Sequence, residues 1–302
     1  MAATEKVLWK PSGHPSRRTH LLTGQTQTLF LVFMILSGLA GTSTCAGQVK
    51  PETATAFDRY VAVTQARMDD DLRLNQFLAI DRLPDSQSKE AYDQLQRGEI
   101  YIQELHSTEE GRPIHIPGGL IHHWVGVIFI PKATLSEIDA VLNDFDHEPE
   151  IYKPEIRRAR VIERNGNESK ICLQLYNKSL VTVVLNEYSD VIETQIGRTR
   201  IQSVSRSTRV AEVMNPGSPD EHERTDGNDH GYMWRLYSYW RIEEKDGGVY
   251  VQNESLTLTR TVPAMLAWLI NPLVKSIPHD VLFHLLTNTR NAVMKTVSTS
   301  GH

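Results

Sequence analysis

With 302 residues, 40% of them apolar and 23% charged, the chain has the makeup of a globular protein holding one large domain or two small ones. A formal charge of −5, with no run of basic residues interleaved with aromatics, excludes general nucleic-acid binding. Two cysteines, Cys45 and Cys172, exclude a disulfide framework and a cysteine-based zinc site.

The N-terminus predicts export. Arg17 and Arg18 precede an apolar run over residues 29–36, and small residues follow to Ala46. A basic region, a short apolar core and a small-residue exit form the pattern of a secretory signal cleaved after Ala46. That core is shorter than the ~20 residues a spanning helix needs, so an uncleaved membrane anchor is the competing expectation. The stretch around Arg17 and Arg18 is also similar to a twin-arginine signal. The mature chain is expected to be periplasmic or secreted, with membrane association, where it occurs, through residues 1–46.

Residues 47–97 read as a helical extension. Phe57, Val61, Thr64 and Met68 share one face, and Leu72, Leu74, Phe77, Leu78 and Ile80 carry the apolar content past the acidic residues 69–71. From Gly98 the period changes to two. Residues 120–130 are almost continuously apolar, as in a strand buried on both faces. Thr134 and Glu137 form a capping box for a helix whose apolar face is Leu135, Ile138, Val141, Leu142 and Phe145. Strand-like runs follow at 160–163, 170–176, 180–191, 200–213, 232–243 and 249–261, several separated by the hairpin signals Asn165-Gly-Asn, Ile196-Gly-Arg and Asp246-Gly-Gly. Between two of them lies a polar, acidic connection over 215–231, long enough to predict a functional or mobile loop. The C-terminus ends in a greasy stretch, 264–270, break signals at Pro272 and Pro278, and an amphipathic helix. Its stripe is Val281, Leu282, Leu285, Leu286, Thr289, Ala292 and Val293.

Residues 128–146, with their strand, capped helix and acidic end, and residues 150–163, with the Tyr152-Lys-Pro154 turn, resemble the START-like (SRPBCC) superfamily. Exported, uncharacterised bacterial members are the most similar. The likeness runs over about residues 98–296. It implies an α+β helix-grip fold: a curved antiparallel β-sheet wrapped around a long C-terminal helix, here with an N-terminal helical extension and a domain over 98–297. It also implies a cavity between sheet and helix for a hydrophobic, lipid-like small molecule. No single reaction follows from it, because one fold hosts many functions.

Candidate site residues come from strand alternation. Trp234, Leu236, Ser238, Trp240 and Ile242 share one face of their strand, which places Trp234 and Trp240 toward the cavity. On the last strand Leu256 and Leu258 predict an inward face that carries Glu254 with it. A buried carboxylate needs a partner, and Arg206 or Arg209 is expected to supply one. Trp268, in the greasy stretch, is the candidate gate. His122 and His123 are adjacent in a strand, so they point to opposite faces and cannot ligate one metal ion. No metal or cofactor is expected, and no Gly-x-Ser-x-Gly elbow, phosphate loop or dinucleotide fingerprint occurs. The expected function is exported, non-covalent binding or transport of a hydrophobic small molecule. Two alternatives stay open: a cyclase- or aromatase-like enzyme using a cavity acid or base, with Glu254 as its weak catalytic candidate, and an interaction protein with a filled core.

Overall fold

The computed structural model describes residues 49–178, 182–261 and 264–300, the last segment with side chains over 276–298. The expected export segment, residues 1–46, lies outside the described residues. Helix α1 (Pro51–Arg73) opens on a proline, which fits the first helical turn. A 3₁₀ turn (Ala79–Arg82) and helix α2 (Asp85–Gln96) complete the extension. The expected face of α1 is the buried one: Phe57, Val61, Thr64 and Met68 are all enclosed.

Strands β1 (Tyr101–Glu104) and β4 (Gly119–Pro131) flank a small hairpin, β2 (Thr108–Glu109) with β3 (Arg112–Pro113). Helix α3 (Leu135–Leu142) carries the predicted capping box. The Glu137 N–H donates to Thr134 Oγ1, and the Thr134 N–H donates to Glu137 Oε2 at 2.8 Å. A 3₁₀ turn (Phe145–His147) and helix α4 (Glu148–Ile151) lead into β5 (Ile156–Asn165), β6 (Glu168–Lys178), β7 (Thr182–Ile196) and β8 (Arg200–Met214). After the short β9 (His222–Glu223) come β10 (Arg235–Lys245) and β11 (Gly248–Arg260). Asp246 and Gly247 both have positive φ, 58° and 75°, which is what a two-residue hairpin between twisted strands requires. Helix α5 (Ala264–Ser300) closes the chain.

The main sheet runs β1-β4-β11-β10-β8-β7-β6-β5, antiparallel throughout, with β9 paired to β8. Strands distant in sequence, β4 and β11, pair over 13 residues and bring α5 back across the sheet. This is the helix-grip arrangement expected from the sequence. Helix α5 seats on β4 at Gly126, where an added Cβ would lie 2.5 Å from Leu286 Cδ1 and 3.2 Å from Leu282. Only glycine allows that approach. The dry core beneath α5 joins Leu282, Leu286 and Val293 to Ile128, Ile130, Ile201, Ile242, Val249 and Val251.

Two expectations change. Pro272 and Pro278 do not break the C-terminal segment, since one 37-residue helix runs through both. Each proline removes one N–H from the ladder without ending it. Val281, expected in the stripe, is exposed, while Leu282, Leu286, Thr289 and Val293 are buried as predicted. Among the described residues no helix is long and apolar enough to cross a membrane. The connection 215–231 is largely exposed but tied to the sheet. Glu221 pairs with Arg158 at 2.7 Å and Glu223 with Arg209 at 2.6 Å, and β9 adds to the sheet.

Leu286→Ala should cost about 2–5 kcal/mol, read from urea unfolding. Gly126→Ala should cost about 1–3 kcal/mol in the parent chain but markedly less in the Leu286→Ala background, where the atom it meets is gone. Equal costs in both backgrounds would show that α5 does not seat at Gly126.

Candidate functional site

Register fixes which side chains line the wall beneath α5. One row reads Trp124, Ser255, Ser238, Ser205 and Val191 across β4, β11, β10, β8 and β7. The next row holds Gly126, Asn253, Trp240, Ser203 and Glu193, and on the other side lie His122, Thr257 and Leu236. Trp240 packs against the α5 core, and the Trp124 ring meets His279 of α5 at 5.6 Å. From Trp124 past Trp240 to β8 the wall is small and hydroxylated. Asn253 donates to Ser238 Oγ at 2.7 Å, whereas the hydroxyls of Ser203, Ser205 and Ser255 bond no described residue, and these three stay half-buried in the middle of the sheet.

The contrast with the same strand's other face is sharp. Along β11, Tyr250, Gln252, Glu254, Leu256 and Leu258 are fully buried, while Ser255 and Thr257 keep partial access. A side chain in the centre of a sheet keeps access only where nothing packs on it. The half-buried hydroxyl row therefore borders open space.

Beside that wall lie two buried carboxyl groups. Glu148 at the start of α4 and Glu187 on β7 are 9% and 3% exposed, and neither forms an ion pair with a described residue. Ser189 donates its hydroxyl to Glu187, and Glu148 Oε2 has no hydrogen-bond partner. Burial pushes the Glu187 carboxyl up to about 7. Burial first, then the nearby charges of Glu187 and Asp144, pushes Glu148 up to about 8. Groups raised this far hold a proton well above the ordinary carboxylate range and can donate a hydrogen bond or pass a proton near neutrality. Neither stood out in the sequence. Tyr152, also buried, bonds Thr289 of α5 at 3.1 Å and ties α5 to this end of the wall.

The predicted site residues are divided by the sheet. Trp240 faces α5 as expected. Trp234 does not, because β10 begins only at Arg235. Trp234 instead donates its N–H to Leu258 O at 2.7 Å and packs with Phe57 and Leu256 against α1. Glu254 also lies on the face away from α5, beneath the N-terminal extension. Its partner is Arg67 of α1 together with His123, and neither Arg206, which is exposed, nor Arg209, which pairs with Glu223 and Asp226. Trp268 lies in α5 with its side chain outside the described residues. His122 and His123 point to opposite faces as expected: His122 reaches Thr259 Oγ1 at 3.3 Å, and His123 Nε2 lies 2.7 Å from Glu254 Oε1.

The outer-face cluster is continuous. His123 Nδ1 lies 3.0 Å from the Tyr60 hydroxyl, which accepts the Ser107 N–H. Arg67 bridges Glu254 and Asp71, while Arg241 donates to Phe77 O and Met68 O at 2.9 Å. Burial pulls the His123 imidazole down and keeps it neutral, with Nε2–H donating to Glu254 and Nδ1 accepting from Tyr60. Burial alone would push Glu254 up, but the His123 hydrogen bond and the Arg67 charge outweigh it and hold the carboxylate ionised. Two cavities open on this side, about 550 Å³ between α1 and the β2–β3 hairpin and about 290 Å³ beside Arg67 and Arg82. Neither touches the hydroxyl wall.

No family model and no curated protein sequence matches the chain. Solved structures that it resembles include a STAR-related lipid transfer protein from Xanthomonas axonopodis, at 17% identity and a TM-score of 0.44, covering 65% of this chain and 93% of that one. A START superfamily protein from Mycobacterium smegmatis aligns at 14% identity and a TM-score of 0.38, over 58% and 98% of the two chains. The Zhui aromatase/cyclase from a Streptomyces species aligns at 11% identity and a TM-score of 0.40, over 61% and 97%.

The two carboxyl groups set a pH dependence. A raised folded value means that their contribution to stability is complete below the ordinary 4.5 and is lost as pH rises through about 7 to 8. The urea midpoint should fall over that window. The double variant Glu148→Gln, Glu187→Gln, which stays uncharged, should show a flatter profile and gain about 1–3 kcal/mol over the parent chain at pH 8. Parallel profiles would contradict the assignment.

Proposed function

We propose that this protein binds a lipid-like, largely apolar small molecule without covalent chemistry, in the space between the hydroxyl wall and α5. One observation carries the reading: Ser255, Ser238 and Ser205 form a half-buried row that starts at Trp124 and runs past Trp240 in the middle of the sheet, while the other face of β11 is fully buried. Apolar-ligand sites use aromatic walls with a few placed polar groups, and this wall has that makeup. A molecule with an apolar body and one or two hydroxyl or carbonyl groups matches it. The indoles take the body, and the serine hydroxyls with Asn253 take the polar end. The residues the reading rests on are therefore Trp124, Trp240, Ser205, Ser238, Ser255 and Asn253.

Organic extraction of the purified chain followed by mass spectrometry should release apolar material in stoichiometric amount. Ser205→Trp and Ser238→Trp, which fill the wall, should lower the retained material and the affinity for a fluorescent fatty-acid analogue at least about tenfold, equivalent to roughly 1.4 kcal/mol. Their unfolding midpoints should be unchanged or raised. Empty extracts, with no saturable probe binding by the parent chain, would sink the proposal.

We further propose that the chain is exported, on the strength of the basic, apolar and small-residue order of residues 17–46. N-terminal sequencing of fractionated cells should find a chain beginning at Gly47 outside the cytoplasm. An intact Met1 in the cytoplasm would contradict it.

A further inference from the structure

The outer face carries a second feature that ligand binding beneath α5 does not use. The crevice of about 290 Å³ between α1, the 3₁₀ turn and the β1–β2 link is lined by Val63, Arg67, Arg82, His106, Thr108 and His123 among others. We infer that this crevice binds a small oxyanion, a carboxylate or phosphate group, held by Arg82 and Arg67.

Charge counting leads there first. Arg67, Arg82 and Arg241 stand against Asp71 and Glu254, and His123 is neutral, so the cluster holds one positive charge in excess. The excess can be assigned to a residue. Arg241 donates to two backbone carbonyls from both terminal nitrogens, and Arg67 is shared between two carboxylates. Arg82 donates no hydrogen bond to any described residue. Its Nε is buried and unpartnered, and lies 3.7 Å from Asp71 Oδ2, beyond hydrogen-bonding distance.

A buried guanidinium N–H without an acceptor costs free energy that an arriving lone pair recovers. Carboxylate and phosphate match the planar fork of arginine with two parallel bonds, which neither water nor a neutral hydroxyl can do. The volume, at the small end of ligand sites, suits an anion of a few atoms or the charged end of a larger molecule. At the rim, His106 and Thr108 are exposed and offer further donors. The site exists only because α1 and the 3₁₀ turn cover this face, and it lies across the sheet from the hydroxyl wall.

The test is calorimetric titration of the whole chain with inorganic phosphate and with acetate, at ionic strength fixed by chloride. The parent chain should bind at least one of the two saturably. Arg82→Gln should weaken binding about tenfold or more, with Arg82→Lys between the two. Thr108→Glu, at an exposed position where folding is not at stake, should weaken it comparably by placing a carboxylate at the mouth. Vesicles of phosphatidylcholine with and without phosphatidic acid separate the sources of the anion. Arg82-dependent flotation only with phosphatidic acid, without binding of free phosphate or acetate, would identify a lipid headgroup; binding of the free ions would identify a soluble anion. Binding to neither ions nor vesicles, or binding unchanged in both Arg82→Gln and Thr108→Glu, would overturn the inference.

Discussion

The ionised carboxylate of Glu254, with essentially no exposure, is the constraint on which the outer half of the molecule depends. A lone buried charge of this kind would cost several kcal/mol, and removing one member of a buried pair exposes that cost. Its neutralisation comes from Arg67, which is 187 residues earlier in the chain and on a different element. Pairing Glu254 therefore requires α1 to dock, and docking brings Phe57, Tyr60, Val61 and Met68 onto Leu256, Leu258 and Tyr239. The following segment continues the cover, with Phe77, Leu78, Ile80 and Leu95 on Val127, Phe129 and Tyr250. Electrostatics sets the register here, and apolar burial supplies most of the free energy.

That arrangement explains what was and was not legible in the sequence. The capping box at Thr134, the six strands, the buried face of α1 and the C-terminal stripe all follow from local periodicity and were readable. The face of β11 was not. Leu256 and Leu258 do mark a buried face, but Val249 and Val251 mark the opposite one equally well. With both faces buried, alternation identifies two sets without saying which lies under α5. The near-continuous apolar runs at 120–130 and 249–251 did carry a usable signal. Two adjacent strands buried on both sides need two covering layers, and among the described residues the helices of 51–96 make the second.

Trp234 and Trp240 show a different limit. Both are even-numbered, and a strand beginning at residue 232 would have put them side by side. The strand begins at Arg235, after Gly231 at φ 75°, so Trp234 belongs to the approach and not to the alternation. A shift of strand start by three residues moves a large side chain from one layer to another. Glu148 and Glu187 were invisible for a related reason. Their burial arises where α4, packed against β5 and the C-terminal helix, brings Glu148 near Glu187 of β7, segments whose sequences carry no shared period.

The sheet acts as a partition whose two surfaces are mechanically linked by the backbone. His122 and His123, Leu256 and Ser255, Arg241 and Trp240 are neighbours in sequence whose side chains go to opposite layers. On the outer side these residues are locked by charge pairing and dense packing: Arg241 on two carbonyls, His123 between Tyr60 and Glu254, Leu256 in an apolar cluster. Each locked residue fixes the backbone of an inner neighbour: His122 and Trp240, which pack on the inner side, and Ser255, which stays half-buried. The hydroxyl row can thus remain unpacked without collapsing, because its rigidity comes from the opposite face. A sheet with one solvated face would have to fill such a wall to hold its shape. The N-terminal extension removes that requirement, and the open wall beneath α5 is its structural consequence.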